Sequence, residues 1–236
     1  MMYEELKWDS DFFEVKVGKI NRSKLTINEL NIILNVAKNH EFKLIYWSSD
    51  KMLNPIKIQK LNGIFVDKKT TLEMPLNIGI NQINLEKNII TEFDKKFTEE
   101  IEELSIQSAK FSRYAIDKNI SRDKFQMLYR IWIRKSIQGE IADNILIAVD
   151  NGQLAGMITL GNKNGKGDIG LLCVKEEFRG RKIGQMLLKS AQKWLFNKKY
   201  SECQVITQGN NIPAINLYKK CSFSIVREEF FYHFWI

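Results

Sequence analysis

The sequence predicts an α/β fold with a mixed sheet, and three observations support this. Short apolar segments with strand-like spacing alternate with longer segments whose apolar residues recur every three or four positions. Residues 145–160 contain Asp150-Asn151-Gly152, which is typical of a tight turn between antiparallel strands. Residues 169–174, 183–198 and 203–207 are predicted to form strand, helix and strand. Such a unit holds its two strands parallel, with a right-handed crossover.

The composition is that of an ordinary globular protein. The 236 residues are 44% hydrophobic and 27% charged, which is enough to bury a sizeable core. No apolar run approaches the roughly 20 residues of a membrane span. Residues 1–7 contain no apolar segment typical of a signal peptide, so a cytoplasmic location is expected. The net charge of +8 favours anionic partners, but it is dispersed as on a solvated surface, without a basic run of five.

Few residues are suited to disulfide or metal chemistry. Cys173, Cys203 and Cys221 are widely spaced and form no C-x-x-C pair, so we expect them to be reduced and mostly buried. His40 and His233 are the two histidines of the chain. Because a histidine metal cluster needs more ligands than these, no metal is expected.

The first 75 residues are predicted to form a small α/β unit. Its elements are a strand at 12–20, a helix after the capping box Thr26–Glu29, a strand at 42–47 and a helix at 55–61. A strand pair follows at 64–66 and 71–74, around Asp67-Lys68-Lys69. Between residues 76 and 91 the pattern loosens. We therefore predict a smaller N-terminal α/β domain at 1–90 and a second domain at 91–236.

The second half contains further predicted elements on either side of the strand–helix–strand unit. They are helices at 98–109, 121–138 and 212–220 and an aromatic strand pair at 223–236. A glycine pattern at Gly165, Gly167 and Gly170 has the spacing of a dinucleotide fingerprint. It precedes a strand and no helix opens after it, so a hairpin loop is predicted there instead.

The most informative segment is a basic loop with two glycines. It runs Arg179-Gly180-Arg181-Lys182-Ile183-Gly184, after the apolar strand at 169–174 and before the helix at 183–198. A loop of this kind presents backbone N–H groups at the positive end of a helix, and its arginines and lysine add mobile charge. The pattern favours binding of a diphosphate over a mere glycine-containing connector.

This loop resembles the acyl-CoA pyrophosphate loop of the GNAT superfamily of N-acetyltransferases, whose pattern is Arg/Gln-x-x-Gly-x-Gly/Ala. Lys182 stands where that pattern has its first glycine. The hairpin, the two strands, Asn211 and Tyr218 also match, so the resemblance covers residues from about 95 onward. It implies a mixed, mainly antiparallel sheet with a splayed parallel strand pair, and acetyl-CoA as co-substrate.

Within the superfamily the chain is most similar to the TDP-fucosamine acetyltransferases. The shared segments are Trp8–Phe13, Phe111–Tyr114, Thr207–Asn211 and Tyr232–Trp235. This likeness implies an N-terminal domain that braces the catalytic one. It also implies a nucleotide-linked amino sugar as acceptor, in polysaccharide precursor synthesis. A homodimer is compatible with these features.

The resemblance also implies roles for individual residues. Tyr218 is the candidate general acid, because a phenol with a pKa of about 10 can protonate a departing thiolate. Arg113 and Tyr114 are candidates for binding the nucleotide sugar. The candidate coenzyme-binding residues are Leu172, Cys173 and Val174 through their main chain, the loop residues Arg179, Gly180, Arg181, Lys182, Ile183 and Gly184, and Asn211 and Asn216. Asn211 is equally suited to cap the helix at 212–220.

Other functions remain open on the sequence alone. The same chemistry could act on a protein amine or a small-molecule amine. A basic nucleic-acid-binding protein could use the aromatic C-terminal segment for stacking, although no recognised motif supports it, so no nucleic-acid partner is expected. A cysteine–histidine acyltransferase would need Cys173 or Cys203 beside His233. Asp168 is a conceivable general base, whereas His233 is more typical of a core histidine.

Overall fold

The computed structural model describes residues 2–77, 79 and 89–236, and in this part ten strands join one sheet. In spatial order they are β1 (Tyr3–Glu5), β2 (Val17–Ile20), β3 (Leu44–Ser49), β10 (Ser224–Trp235), β4 (Gly63–Pro75), β9 (Glu202–Gln208), β8 (Lys166–Val174), β7 (Gln153–Lys163), β6 (Asn144–Asp150) and β5 (Ile90–Glu92). The pairs β2–β3 and β8–β9 are parallel and the others are antiparallel. The predicted mixed, mainly antiparallel sheet is thereby confirmed.

Helices cover the sheet on both faces. They are α1 (Lys7–Phe13), α2 (Ile27–Asn39), α3 (Pro55–Gln59), α4 (Thr98–Ser108), α5 (Arg113–Ile116), α6 (Arg122–Ile137), α7 (Ile183–Asn197) and α8 (Ile212–Lys220). Among the helices described, none is long and apolar enough to cross a membrane. The predicted capping box is present at the start of α2, where Thr26 and Glu29 each bond the other's main chain.

The three largest apolar clusters hold α2, α4, α6 and α7 on the sheet. The face of α7 that carries Leu187, Leu188 and Leu195 packs on the central strands. On the opposite face, α4 and α6 pack on β6, β7 and β8. Around β3 and β10, α2 covers a cluster that includes Trp47 and Phe234. Each fully buried side chain of this size contributes about 2 kcal/mol through its removal from water.

Two predicted strand pairs are single long strands. The segments 64–66 and 71–74 belong to β4, and 223–236 forms β10. The polar residues Asp67-Lys68-Lys69 suggested a turn, but they lie within β4. Cross-strand ion pairs account for them, since Lys68 Nζ lies 2.9 Å from a carboxylate oxygen of Glu228.

The strand predicted at 12–20 is also partly wrong. Phe12 and Phe13 are the last residues of α1, and Glu14 ends that helix in the left-handed conformation at φ 60°. Only 17–20 of this segment forms a strand. The side chains of the two phenylalanines pack against apolar clusters from a helix. They do not alternate between the two faces of a sheet, as the prediction required.

The sheet continues across the predicted domain boundary. The boundary at 90/91 falls within β5, and most of the loosened segment before it lies outside the described residues. β10 lies between β3 and β4, so a strand of the second half pairs on both sides with strands of the first. The division at 90/91 stays a prediction.

Candidate active site

The parallel strands β8 and β9 separate after a short paired stretch. They pair from Gly167–Cys203 to Ile169–Val205, and no further pair between them is formed up to Val174 and Gln208. β8 remains bonded to β7 as far as Val174. The main chain of β8 beyond Ile169 is therefore free on the β9 side, where it borders a cavity of about 1600 Å³.

A bulge bends β8 where it leaves β9. Two residues of β8, Gly170 and Leu171, lie opposite the single residue Thr159 of β7. The Thr159 hydroxyl accepts a hydrogen bond from the Leu171 N–H at 2.8 Å. A Cβ atom on Gly170 would lie 2.7 Å from that hydroxyl oxygen, so glycine is required for this contact. Because a bulged strand bends and twists away from its partner, this bulge opens the gap.

The predicted phosphate loop forms a cradle of main-chain N–H groups. It follows a 3₁₀ turn at Glu176–Phe178 and leads into α7. Gly180 and Lys182 are both left-handed, with φ values of 80° and 62°. Left-handed residues in a turn bring successive N–H groups together into an anion-binding concavity, and the first N–H groups of α7 have no partner within the helix. Glycine suits the position of Lys182 because a side chain there costs roughly 1–2 kcal/mol.

The structure separates the basic side chains of this loop. Arg179 and Lys182 line the cavity, as do Gly180, Ile183 and Gly184. Arg181 does not, because its guanidinium pairs with Asp150 at 3.2 Å and lies over the ring of Phe178. The Arg181 side chain is therefore not brought to the cavity, and the predicted coenzyme contact of this residue stays a prediction. A Cβ on Gly184 would come within 3.0 Å of Leu217, so this glycine allows α7 and α8 to approach closely.

Tyr218 lies in the cavity wall on the other side of the gap. It is 5% exposed and packs edge-on against Phe223. Burial raises the pKa of its phenol, so the hydroxyl is protonated at neutral pH. Leu172, Cys173 and Val174 line the cavity from β8.

The two predicted asparagines differ in position. Asn211 lines the cavity and also caps α8, since its side-chain oxygen accepts a hydrogen bond from the Ala214 N–H at 3.3 Å. Both roles expected for Asn211 are therefore compatible with its position. Asn216 is exposed on α8 and does not line the cavity. The structure does not bring Asn216 to the site.

The buried histidine bonds to an aspartate and not to a cysteine. His233 is fully buried, and its Nδ1 lies 2.7 Å from Asp117 Oδ2, which also accepts a hydrogen bond from Trp235. Burial lowers the pKa of His233 and keeps the ring neutral. In the described part of the chain, the three free cysteines are buried and none bonds to a histidine. This arrangement gives no support to a cysteine–histidine acyltransferase.

The part of the cavity beyond Tyr218 has an aromatic wall. Its rings come from α5, α6, β10 and the segment before α5, and they are Phe111, Tyr114, Phe125, Tyr129, Trp132 and Phe231. Tyr129 and Trp132 are stacked at 5.8 Å between ring centroids. Flat apolar faces of this kind suit sugar rings and nucleobases.

Arg113 is held within this wall. Its guanidinium lies 4.6 Å from the ring of Tyr46 and 4.7 Å from that of Tyr114, and it donates a 2.6 Å hydrogen bond to the Tyr114 hydroxyl. Among the described residues, no carboxylate oxygen lies within 4 Å of it. Rings on several sides thus hold a cation that faces the cavity without an ion pair.

Two aspartates also line the cavity. Asp168 is the conceivable base noted from the sequence, and its Oδ1 accepts a 2.7 Å hydrogen bond from the Gln204 amide. Burial raises the pKa of Asp168. The other is Asp67 on β4, which sequence reasoning missed because Asp67-Lys68-Lys69 was interpreted as a turn. The aromatic wall was also missed, since distant segments supply its rings.

The gap between two parallel strands, the cradle at the start of α7 and the tyrosine across the gap form the arrangement that the resemblance to the N-acetyltransferases implies. Comparison with protein families points the same way. Residues 111–223 match the model of the acetyltransferase (GNAT) family. This part of the chain is similar to a GNAT acetyltransferase domain.

Similar proteins are found both by sequence and by structure. The spore coat polysaccharide biosynthesis protein SpsD of Bacillus subtilis (strain 168) is 31% identical over 138 residues, which are 58% of this chain and 47% of that protein. The chain thus spans about half the length of this curated relative. A GCN5-related N-acetyltransferase from Sphaerobacter thermophilus has a TM-score of 0.57 at 13% identity, over 98% of this chain and 75% of that one. A functionally unknown conserved protein from Staphylococcus epidermidis ATCC 12228 has a TM-score of 0.67 at 12% identity, over 93% and 84%. The two structures show the same fold.

Proposed function

We propose that the protein transfers the acetyl group of acetyl-CoA to the amino group of a nucleotide-diphosphate-linked amino-deoxy sugar. The observation that carries this proposal is the gap between β8 and β9, which combines free main chain with a diphosphate cradle at one end and Tyr218 in its wall. The family match of residues 111–223 supports the acetyl transfer.

The coenzyme is bound mainly by the backbone in this proposal. The free main-chain groups of Leu172, Cys173 and Val174 pair with the amides of the pantetheine arm, as a neighbouring strand would. The N–H groups of Gly180 to Gly184 bind the pyrophosphate, and Arg179 and Lys182 add positive charge. Asn211 lines the coenzyme side of the cavity.

The transfer is direct. A neutral amine attacks the thioester carbonyl, and a main-chain N–H of β8 stabilises the oxyanion that forms. As the C–S bond breaks, Tyr218 donates its proton to the departing thiolate. Burial raises the pKa of the phenol, so its proton is present at neutral pH when the thiolate develops.

The acceptor class is supported by the other end of the cavity. Arg113 carries a charge that no carboxylate within 4 Å neutralises, and arginine binds diphosphates with two parallel hydrogen bonds. The aromatic wall offers faces on which a sugar or a base can pack. The name of the Bacillus subtilis relative refers to spore coat polysaccharide biosynthesis, which is consistent with a sugar acceptor.

The release of free thiol from acetyl-CoA tests the proposal. The acceptor panel contains TDP- and UDP-linked amino sugars, the same amino sugars without nucleotide, polyamines and peptides with a free N-terminus. We expect turnover with one or more nucleotide-linked sugars, and a kcat/KM at least tenfold lower for the same sugar without its diphosphate. Turnover restricted to peptides or polyamines would replace the proposed acceptor, and the absence of coenzyme binding would refute the whole assignment.

A further inference from the structure

A second bulge aims a carboxylate into the cavity from β4. Phe231 of β10 pairs with Asp67 and the next residue, Tyr232, pairs with Phe65, so Val66 is an extra residue in β4. Bulges of this kind redirect side chains next to functional sites. Asp67 lies beside this bulge and lines the cavity together with Arg113, Tyr129 and Phe231.

We propose that Asp67 binds the ammonium group of the acceptor and removes its proton before acetyl transfer. This inference rests on the proposed function and adds a catalytic base, for which the sequence offered only Asp168 and His233. Asp67 lies on β4, which precedes the segment 111–223 that matches the GNAT family model.

The carboxylate of Asp67 is available for a ligand. The cations that face it are Arg113 from α5 and Lys69 from its own strand, and the phenol of Tyr129 faces it from α6. Both cations have other partners, since Lys69 pairs with Glu229 at 3.2 Å and Arg113 bonds to Tyr114. In the described part of the molecule, no cation lies within 4 Å of Asp67. An incoming ammonium group would supply the missing partner.

The other carboxylates near the cavity fit the role less well. Asp168 is already bonded to Gln204 and lies where β8 and β9 are still paired. Glu176 and Glu177 lie in the turn before α7, where both are exposed. Asp9 does not line the cavity. Asp67 thus combines partial burial, access to the cavity and an open carboxylate.

The electrostatic environment suits a base that acts near neutral pH. Burial raises the pKa of Asp67 to about 7, against the lowering effect of Arg113 and Lys69. A base is most effective when its pKa lies near the working pH, because it is then both deprotonated and able to hold a proton.

The proton balance of the reaction is complete with this residue. Asp67 takes one proton from the acceptor ammonium and later releases it to solvent. The neutral amine forms the C–N bond, the C–S bond breaks, and the thiolate takes the Tyr218 proton. The second proton lost by the amine nitrogen returns to the Tyr218 phenolate. The products are the amide, free coenzyme thiol and one proton.

The test is the pH dependence of kcat/KM for the acceptor in wild type, Asp67→Asn and Glu73→Gln. For wild type we expect kcat/KM to rise with pH through about 7. Asp67→Asn should lower it about 100-fold at pH 7 and remove this step, since general-base contributions are about 10²–10⁴-fold. Glu73→Gln is the matched control, because Glu73 lies on the same strand and bonds Lys166 outside the cavity. It should behave as wild type.

Folding is followed in the same variants. Because the folded state raises the pKa of Asp67, ionisation destabilises the fold as pH rises from about 4 towards 7. Asp67→Asn removes that cost, so its Tm at pH 8 should equal or exceed that of wild type. A lower activity with this Tm separates loss of the base from loss of structure.

Each outcome decides the proposal. An active wild type with an unchanged rate and pH profile in Asp67→Asn overturns the role of Asp67 and leaves the proposed function intact. Loss of the pH step in Asp168→Asn instead assigns the base to Asp168. A wild type that binds acetyl-CoA but acetylates no amine in the panel refutes the proposed function, and the Asp67 inference fails with it.

Discussion

The two ends of the cavity are built in different ways. At the β8–β9 end, the groups that face the cavity are largely main chain, namely the free edge of β8 and the N–H groups of the cradle. At the other end they are side chains, and the rings around Arg113 come from α5, β3 and β10. A main-chain site fixes one ligand with little dependence on side-chain identity. A side-chain site can change its ligand through single substitutions.

The comparison predicts which substitutions affect which substrate. Changes at Tyr218 should alter the chemical step, changes at Arg113 that keep its charge should alter acceptor binding, and changes in the cradle should alter coenzyme binding and stability. Measuring KM for both substrates with each variant therefore tests whether the two ends act independently.

Replacing the general acid should have the largest effect. Tyr218→Phe removes the proton donor and keeps the ring against Phe223, so kcat should fall about 100-fold or more while the Kd for acetyl-CoA stays unchanged. Steady-state kinetics and calorimetry check the two values. Tyr200→Phe is the control, because Tyr200 bonds Asn162 outside the cavity. Equal kcat in both variants would remove the assignment of Tyr218.

Replacing the enclosed arginine should have an intermediate effect, confined to the acceptor. Arg113→Lys keeps the positive charge but cannot form bidentate hydrogen bonds to the diphosphate. The KM for the nucleotide-linked sugar should therefore rise about tenfold. KM for acetyl-CoA should not change. Arg130→Lys serves as control, since Arg130 forms an ion pair with Glu103 outside the cavity. An unchanged acceptor KM in Arg113→Lys would show that Arg113 does not contact the diphosphate.

Replacing the left-handed lysine should have the smallest effect. Lys182→Gly relieves the steric cost of a side chain at φ 62° and should raise the free energy of unfolding by about 1 kcal/mol. Loss of the charge should also weaken acetyl-CoA binding a few-fold. Lys199→Gly is the matched control, because Lys199 is left-handed at φ 70° but does not line the cavity. It should gain similar stability without any change in coenzyme affinity, as measured by denaturation and calorimetry.

The two ends also differ in how far the sequence predicts them. The cradle lies within six consecutive residues after a strand, so its glycines, basic residues and helix start were visible together. The parallel pairing of β8 and β9 followed from the helix between them. The ion pair of Arg181 was not predictable, because its partner Asp150 lies 31 residues away at the end of β6.

The acceptor end could not be assembled from local patterns. Asp67 and Phe231 meet because β10 pairs with β4, and both strands were predicted as two short ones. A charged triplet within a strand has the composition of a turn. The two lysines fit a strand because they form ion pairs with Glu228 and Glu229 of the neighbouring strand. These partners lie some 160 residues further along the chain. The arrangement of residues at the acceptor end therefore depends on long-range strand pairing.

The position of β10 has a consequence for how the protein is made. Nine strands precede β10 along the chain, yet it lies fourth in the sheet, between β3 and β4. While the ribosome is still synthesising residues 224–235, those two strands present unsatisfied edges. The sheet can close only when this late strand inserts, a contact across most of the polypeptide that slows folding. Nascent chains halted before residue 224 should thus be aggregation-prone and favoured clients of chaperones.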